Sequence, residues 1–142
     1  MKSIKILAVG KVTREYKSDI NHYLKQLNNT VIVEINEEND KEKEGMLLLN
    51  QIKEKDYVIT LEIGGVTMDS VEFSKKIMLL YSSNEIVFVI GGSDGLSLNV
   101  KQRSNLEISL SKLTFPHQMA RLVLVEQLYR SFMINKNHPY HK

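Results

Sequence analysis

Glu85-Ile86-Val87-Phe88-Val89-Ile90-Gly91-Gly92-Ser93-Asp94-Gly95 is the stretch whose reading decides the fold. Past Glu85 the run carries no charge and is apolar at every position, the pattern of a strand covered on both faces. The glycines behind it remove Cβ atoms at a place where something approaches the backbone. A second irregular segment, Ser109-Leu-Ser-Lys-Leu-Thr-Phe-Pro116, follows later in the chain and opens the long apolar stretch from His117 to Asn135. Pro116 stands where a missing N–H costs a helix nothing, so a helix starts there. Two loops therefore leave the same sheet edge.

Outward from this run, strands and helices alternate. Ile4, Ile6 and Ala8 alternate with Lys5 and Leu7 before Gly10, which predicts a first strand. The start of the chain is basic and then apolar, as a leader peptide is, but the apolar part is too short for one. Tyr16, Ile20, Tyr23, Leu24 and Leu27 recur at helical spacing and predict a helix over 13–28. Thr30–Ile35 is β-branched and predicts the second strand. The run 36–43, almost all charge and amide, reads as a solvated connector or a helix entry, with a modest helix over 45–52 after it. Tyr57–Ile63 is the third strand, closed by Gly64-Gly65 in a plain turn or at a ligand. A helical stripe over 71–81 starts near Asp69-Ser70, both good cap residues. A short helix over 98–104, a fifth strand over 106–109 and the final helix complete the series. This order predicts a mostly parallel α/β sheet flanked by helices, one domain over 1–142, with ligands outside the carboxyl ends of its strands.

The bulk properties narrow the class. The chain has 142 residues, 42% hydrophobic and 25% charged, ordinary values for a globular domain large enough to bury a core unaided. No apolar run has the length of a membrane span. There is no cysteine, which removes disulfides, thiolate catalysis and thiolate metal sites and points to the cytoplasm as the default location. The formal charge of +2 arises from 19 basic and 17 acidic residues, too even a balance to announce a nucleic-acid binder by itself.

The motifs carry the rest. Gly91–Gly95 is not G-x-G-x-x-G, and the P-loop pattern is absent, so this loop is a turn or a ligand cradle of another kind. The final helix is apolar on more than one face, so it is either the centre of the core or covered on one side by a second copy, a homodimer. Arg121 and Arg130 stand among its apolar residues, where a guanidinium pairs with a phosphate or a carboxylate, Glu126 being one candidate. The tail Lys136-Asn-His-Pro-Tyr-His-Lys142 interleaves rings and cations; it is a solvated terminus or a surface for unpaired RNA. His138 and His141 lack a third ligand nearby, so no metal is expected. His117 reads as a capping residue or a catalyst. No Ser-His-Asp order with an activating elbow occurs, so hydrolysis is poorly supported.

Taken together, Lys5-Ile-Leu-Ala-Val-Gly-Lys11, Thr60-Leu-Glu-Ile63, Phe88-Val-Ile-Gly-Gly-Ser-Asp-Gly-Leu96, Leu113-Thr-Phe-Pro-His-Gln-Met119, Glu126-Gln-Leu-Tyr-Arg130 and Asn137-His-Pro-Tyr-His-Lys142 resemble the RlmH family of large-subunit rRNA pseudouridine N3-methyltransferases. The resemblance spans the chain. It implies a SPOUT-type α/β fold with a carboxyl-terminal trefoil knot, a homodimer, the cofactor S-adenosylmethionine, and a pseudouridine of 23S rRNA in the large subunit or assembled ribosome as substrate. It assigns cofactor binding to Leu61, Gly91, Leu110, Ser111, Lys112, Leu113, Thr114 and Phe115. It turns His117, Arg121 and His138 toward RNA, and gives catalytic roles to Arg130, Tyr140 and His141. Family members are somewhat longer, with the shortfall here mainly between Ile35 and Asp56. A non-catalytic ribosome- or RNA-binding module that keeps the fold is the alternative.

Overall fold

The computed structural model describes residues 2–142, Met1 lying outside the described residues. Ten elements follow in order: β1 Ile4–Val9, α1 Arg14–Leu24, β2 Thr30–Ile35, α2 Lys41–Leu49, β3 Tyr57–Thr67, α3 Ser70–Tyr81, β4 Ile86–Ile90, α4 Leu98–Arg103, β5 Leu106–Ser109 and α5 His117–Asn135. The strands form one parallel sheet in the order β2-β1-β4-β3-β5. Every residue of β4 is buried, as its uncharged sequence requires, because helices cover both faces. One face, carrying Ile4, Ile6, Ile86, Phe88, Ile59 and Ile108, packs against Ile20 of α1, Phe73 and Ile77 of α3, and Leu124, Val125 and Leu128 of α5. The alternate positions, Leu7, Val9, Val58, Val87 and Val89, meet Leu48 of α2 and Val100 of α4. The period of two along each strand thus feeds two separate cores, and the molecule has three layers.

Three boundaries differ from the sequence reading. Gly64-Gly65 does not close β3. The strand continues to Thr67, and its register against β5 slips between Leu61 and Val66. A Cβ on Gly65 would stand 2.6 Å from the Ile108 carbonyl carbon, so the glycine lets the two backbones meet at this irregularity. The helix predicted over 45–52 begins earlier, at Lys41, because Asp40 caps it by accepting from the Glu42 N–H at 2.9 Å. The charged run was thus partly a helix entry. Helix α1 stops at Leu24. Gln26 and Leu27 then donate to carbonyls three residues back, and Asn29 takes the left-handed conformation (φ 57°) that turns the chain into β2.

Candidate functional site

The carboxyl ends of β3, β4 and β5 open into one cavity of about 670 Å³, within the range of small-molecule sites. Leu61 arrives from β3, Ile90 to Ser93 with Gly95 and Leu96 from the end of β4 and the turn after it, and Ser109 to Ser111 with Leu113 to Pro116 from the end of β5 and the loop after it. Of the eight residues assigned to a cofactor by resemblance, Leu61, Gly91, Leu110, Ser111, Leu113, Thr114 and Phe115 line it, and exposed Lys112 does not. The loop after β4 is a tight turn in which Gly95, at φ +79°, donates its N–H to the Gly92 carbonyl at 3.1 Å. A Cβ on Gly91 would meet Leu96 Cδ2 at 2.9 Å and the Gly95 carbonyl carbon at 3.0 Å. The glycine is needed by the turn itself, and the turn forms part of the cavity wall. The loop after β5 is held by its own serines: Ser109 Oγ donates to the Ser111 carbonyl at 2.7 Å, and Ser111 Oγ accepts from the Leu113 N–H at 3.0 Å. Leu113 is left 72% exposed at the rim.

The charged part of the wall was not singled out from sequence. Glu62 sits on the cavity with Lys101 Nζ 3.4 Å from its Oε1, and the Thr60 hydroxyl donates to its Oε2 at 3.2 Å. Glu107, on the same wall, has its carboxyl pushed above the usual range by a hydrogen bond with Glu62 and by repulsion from that neighbour's charge. Alternation along Thr60-Leu-Glu-Ile63 was the available signal, but only the pairing of β3 with β5 brings the two acids together.

Helix α5 enters the cavity at its amino end. Pro116 is the cap residue, so the helix proper starts one position later, at His117, and the Pro116 carbonyl accepts from the Ala120 N–H at 3.0 Å. His117 and Ala120 line the cavity. Arg121, expected to face RNA, does not. It is 1% exposed, and its guanidinium donates to Glu34 Oε2 at 2.6 Å and to the Gly10 carbonyl at 3.2 Å. A buried guanidinium takes a carboxylate because an unpaired charge there is strongly destabilising. Its partner is Glu34, and Glu126 instead pairs with Arg130 at 2.7 Å.

The tail lies elsewhere. The Tyr140 hydroxyl donates to Glu126 Oε2 at 2.7 Å, its ring packs edge-on against Tyr129, and the Arg130 guanidinium stands 4.9 Å from that ring's centre. His141 Nδ1 is 3.0 Å from Arg130, and His138 Nδ1 accepts from the Tyr140 N–H at 3.1 Å. Burial, with hydrogen bonds to Tyr23 and Glu126, raises the Tyr140 phenol well above its ordinary pKa. None of Arg130, His138, Tyr140 and His141 lines the cavity. His117 and Arg130 are thirteen residues apart on one helix, a separation of about 20 Å at ~1.5 Å per residue. Within one chain the terminus is not draped over the cavity mouth, because its ring cluster docks on α1 and the far end of α5. Among the described residues no group of three or more His, Asp or Glu side chains could hold a metal ion, and no helix is long and apolar enough to cross a membrane.

In open α/β sheets ligands bind outside the carboxyl ends of the strands, and this irregular, glycine-lined cavity stands at that place. The family model described as "Predicted SPOUT methyltransferase" matches residues 1–141, and the chain belongs to that family. It is 47% identical to the ribosomal RNA large subunit methyltransferase H of Enterococcus faecalis, over 98% of this chain and 99% of that protein. It is 46% identical to the protein of the same name from Acholeplasma laidlawii, over the same shares. Two solved structures share the fold at low identity. A probable methylase family protein from Haemophilus influenzae superposes with a TM-score of 0.62 at 13% identity, over 96% of this chain and 67% of that one. A probable methyltransferase from Bordetella pertussis gives 0.63 at 9% identity, over 92% and 94%.

Proposed function

We propose that this chain is an S-adenosylmethionine-dependent methyltransferase that methylates N3 of a pseudouridine in 23S rRNA of the large ribosomal subunit, working in the cytoplasm as a homodimer. The observation that carries the reading is the convergence of three separate strand-end segments on one cavity in a chain of the SPOUT family. The residues present fit the cofactor. Leu61, Ile90, Leu96 and Phe115 offer apolar surface for a purine, irregular backbone around Gly91 and Leu110–Phe115 offers amides and carbonyls for its polar edge, and Glu62 and Glu107 suit a cationic ligand. When bound, S-adenosylmethionine supplies an activated methyl group on a sulfonium. What remains for the protein is to hold the acceptor ring with N3 facing that methyl and to accept the proton that N3 loses. His117 borders the cavity from α5 and contacts the RNA. From the tail, His138 also contacts RNA, Tyr140 orients the base as a neutral phenol and His141 takes the proton, while Arg130, on the last turns of α5 beside the tail, holds a phosphate.

The distance along α5 between cavity and tail supports a site completed by two copies, the tail of one meeting the cavity of the other. Labelled S-adenosylmethionine incubated with ribosomes lacking the modification should put label into large-subunit rRNA. Absence of label, with the donor shown by calorimetry to bind, would remove the assigned substrate. The separation of tail and cavity in one chain also favours a second reading, a non-catalytic RNA-binding module. That reading requires no saturable heat on titration with the donor while ribosome binding persists.

A further inference from the structure

The turn after β1, Gly10 to Thr13, is fastened to the first turn of α5 by a bracket of polar side chains that methyl transfer itself does not use. Arg121 supplies one arm through the Gly10 carbonyl and Glu34. Glu34 Oε2, while accepting from Arg121, also accepts from the Val12 N–H at 2.6 Å. Gln118, 8% exposed and nearly one turn earlier on the helix, supplies the other arm: its Oε1 accepts from the Thr13 N–H at 3.0 Å and its Nε2 donates to the Lys11 carbonyl at 2.9 Å. Each of the four residues of the turn thus gives one backbone group to the bracket. Among the described residues Arg121 Nε has no hydrogen-bond partner, so the guanidinium is held for the two contacts its fork makes and not for complete satisfaction. A hydrocarbon side chain would fill the same volume without the desolvation cost of a charge. Only a directional group ties the helix to specific backbone atoms of the turn. His117 and Ala120, interleaved with Gln118 and Arg121 on that stretch of helix, are cavity wall.

We propose that Arg121 and Gln118 are positioning residues, locking the Gly10–Thr13 turn and the amino end of α5 into one unit that fixes the wall bearing His117. The proposal rests on reading the cavity as the methyl-donor site. Its test is crosswise. Arg121→Met should speed amide exchange at Thr13, whose partner is Gln118, and Gln118→Ala should speed it at Val12, whose partner is Glu34, each on the order of tenfold. Both variants should weaken donor binding and slow single-turnover transfer on the order of tenfold, since small displacements at a site are costly. Arg121→Lys, which keeps the charge but reaches only one acceptor, should recover part of the loss. Gln118→Ala keeps the test open if Arg121→Met does not fold, because Lys11 and Thr13 are exposed and their freed groups can turn to water. Exchange changes confined to Val12, held by Glu34, in Arg121→Met and to Thr13 in Gln118→Ala, or donor affinity and transfer both at the unsubstituted level, would overturn the proposal. If the unsubstituted protein binds no donor, the methyl-donor reading fails and the exchange pattern alone decides the bracket.

Discussion

Gly64 and Gly65 are adjacent and chemically identical, yet the structure asks different things of them. A Cβ at Gly65 meets β5 backbone at 2.6 to 2.8 Å, whereas nothing lies within 4 Å of one at Gly64. Gly65→Ala should therefore cost about 1–3 kcal/mol, the range for forced overpacking, and Gly64→Ala should stay within about 0.5 kcal/mol. Urea denaturation of both decides, and equal effects would contradict the close approach. Tyr140 gives a second test at this scale. Its phenol is raised by burial first and by its partners next, so ionisation is unfavourable in the folded state. The sign follows: the stability this group contributes is complete below the ordinary phenol value of about 10 and is lost as pH rises above it. In the ultraviolet titration difference between the unsubstituted protein and Tyr140→Phe, the missing phenolate should appear only above that value, and ionisation at about 10 would mean the hydroxyl is solvated. Such singularities were not legible in the sequence. Arg121 reads the same whether it faces a phosphate or a carboxylate, and its partner Glu34 lies 87 positions away.

Elements were more legible than contacts, because periodicity is local and pairing is not. The uncharged run of β4 and the proline-led start of α5 announced themselves through composition alone. The extension of β3 did not, since a Gly pair that normally ends a strand here permits a bulge against a strand forty residues on. That pairing creates the Glu62 and Glu107 couple, which carries a pH signature. The hydrogen bond with Glu62, and then its charge, raise the Glu107 carboxyl. A raised carboxyl favours the fold at low pH. As pH climbs past the ordinary glutamate value of about 4.3, the unfolded chain ionises freely and the folded one resists, so stability falls until the folded value is passed. Glu107→Gln should melt higher than the unsubstituted protein at pH 8, with the gap closing below about pH 4. A gap that is constant with pH would mean the two carboxyls do not interact.

At the scale of the molecule, the parallel sheet and its ligand edge follow from the alternation of strands and helices, but periodicity cannot announce a knot, because chains as a rule avoid one. Nor can it say where a terminus docks. The tail sequence suits RNA, yet within one chain Tyr140 is engaged with Glu126 and Tyr129, far along α5 from His117. If two copies share their sites as proposed, the separation becomes a means of testing by complementation. One variant lacks residues 140–142 but keeps its cavity. The other keeps its tail and carries Gly91→Leu, which the turn around Leu96 and Gly95 cannot accommodate. Each alone should be inactive. Unfolded and refolded together in equal amounts, half the dimers are mixed, and each mixed dimer holds one intact cavity facing one intact tail, so activity should return to about a quarter of the unsubstituted level. A site built within one chain gives no recovery, because no chain in the mixture then carries both parts. The outcome separates the two arrangements without any structure of the complex, provided that size-exclusion chromatography shows both variants to be dimers; monomers of the unsubstituted protein that retain full turnover would remove the second copy from the mechanism altogether.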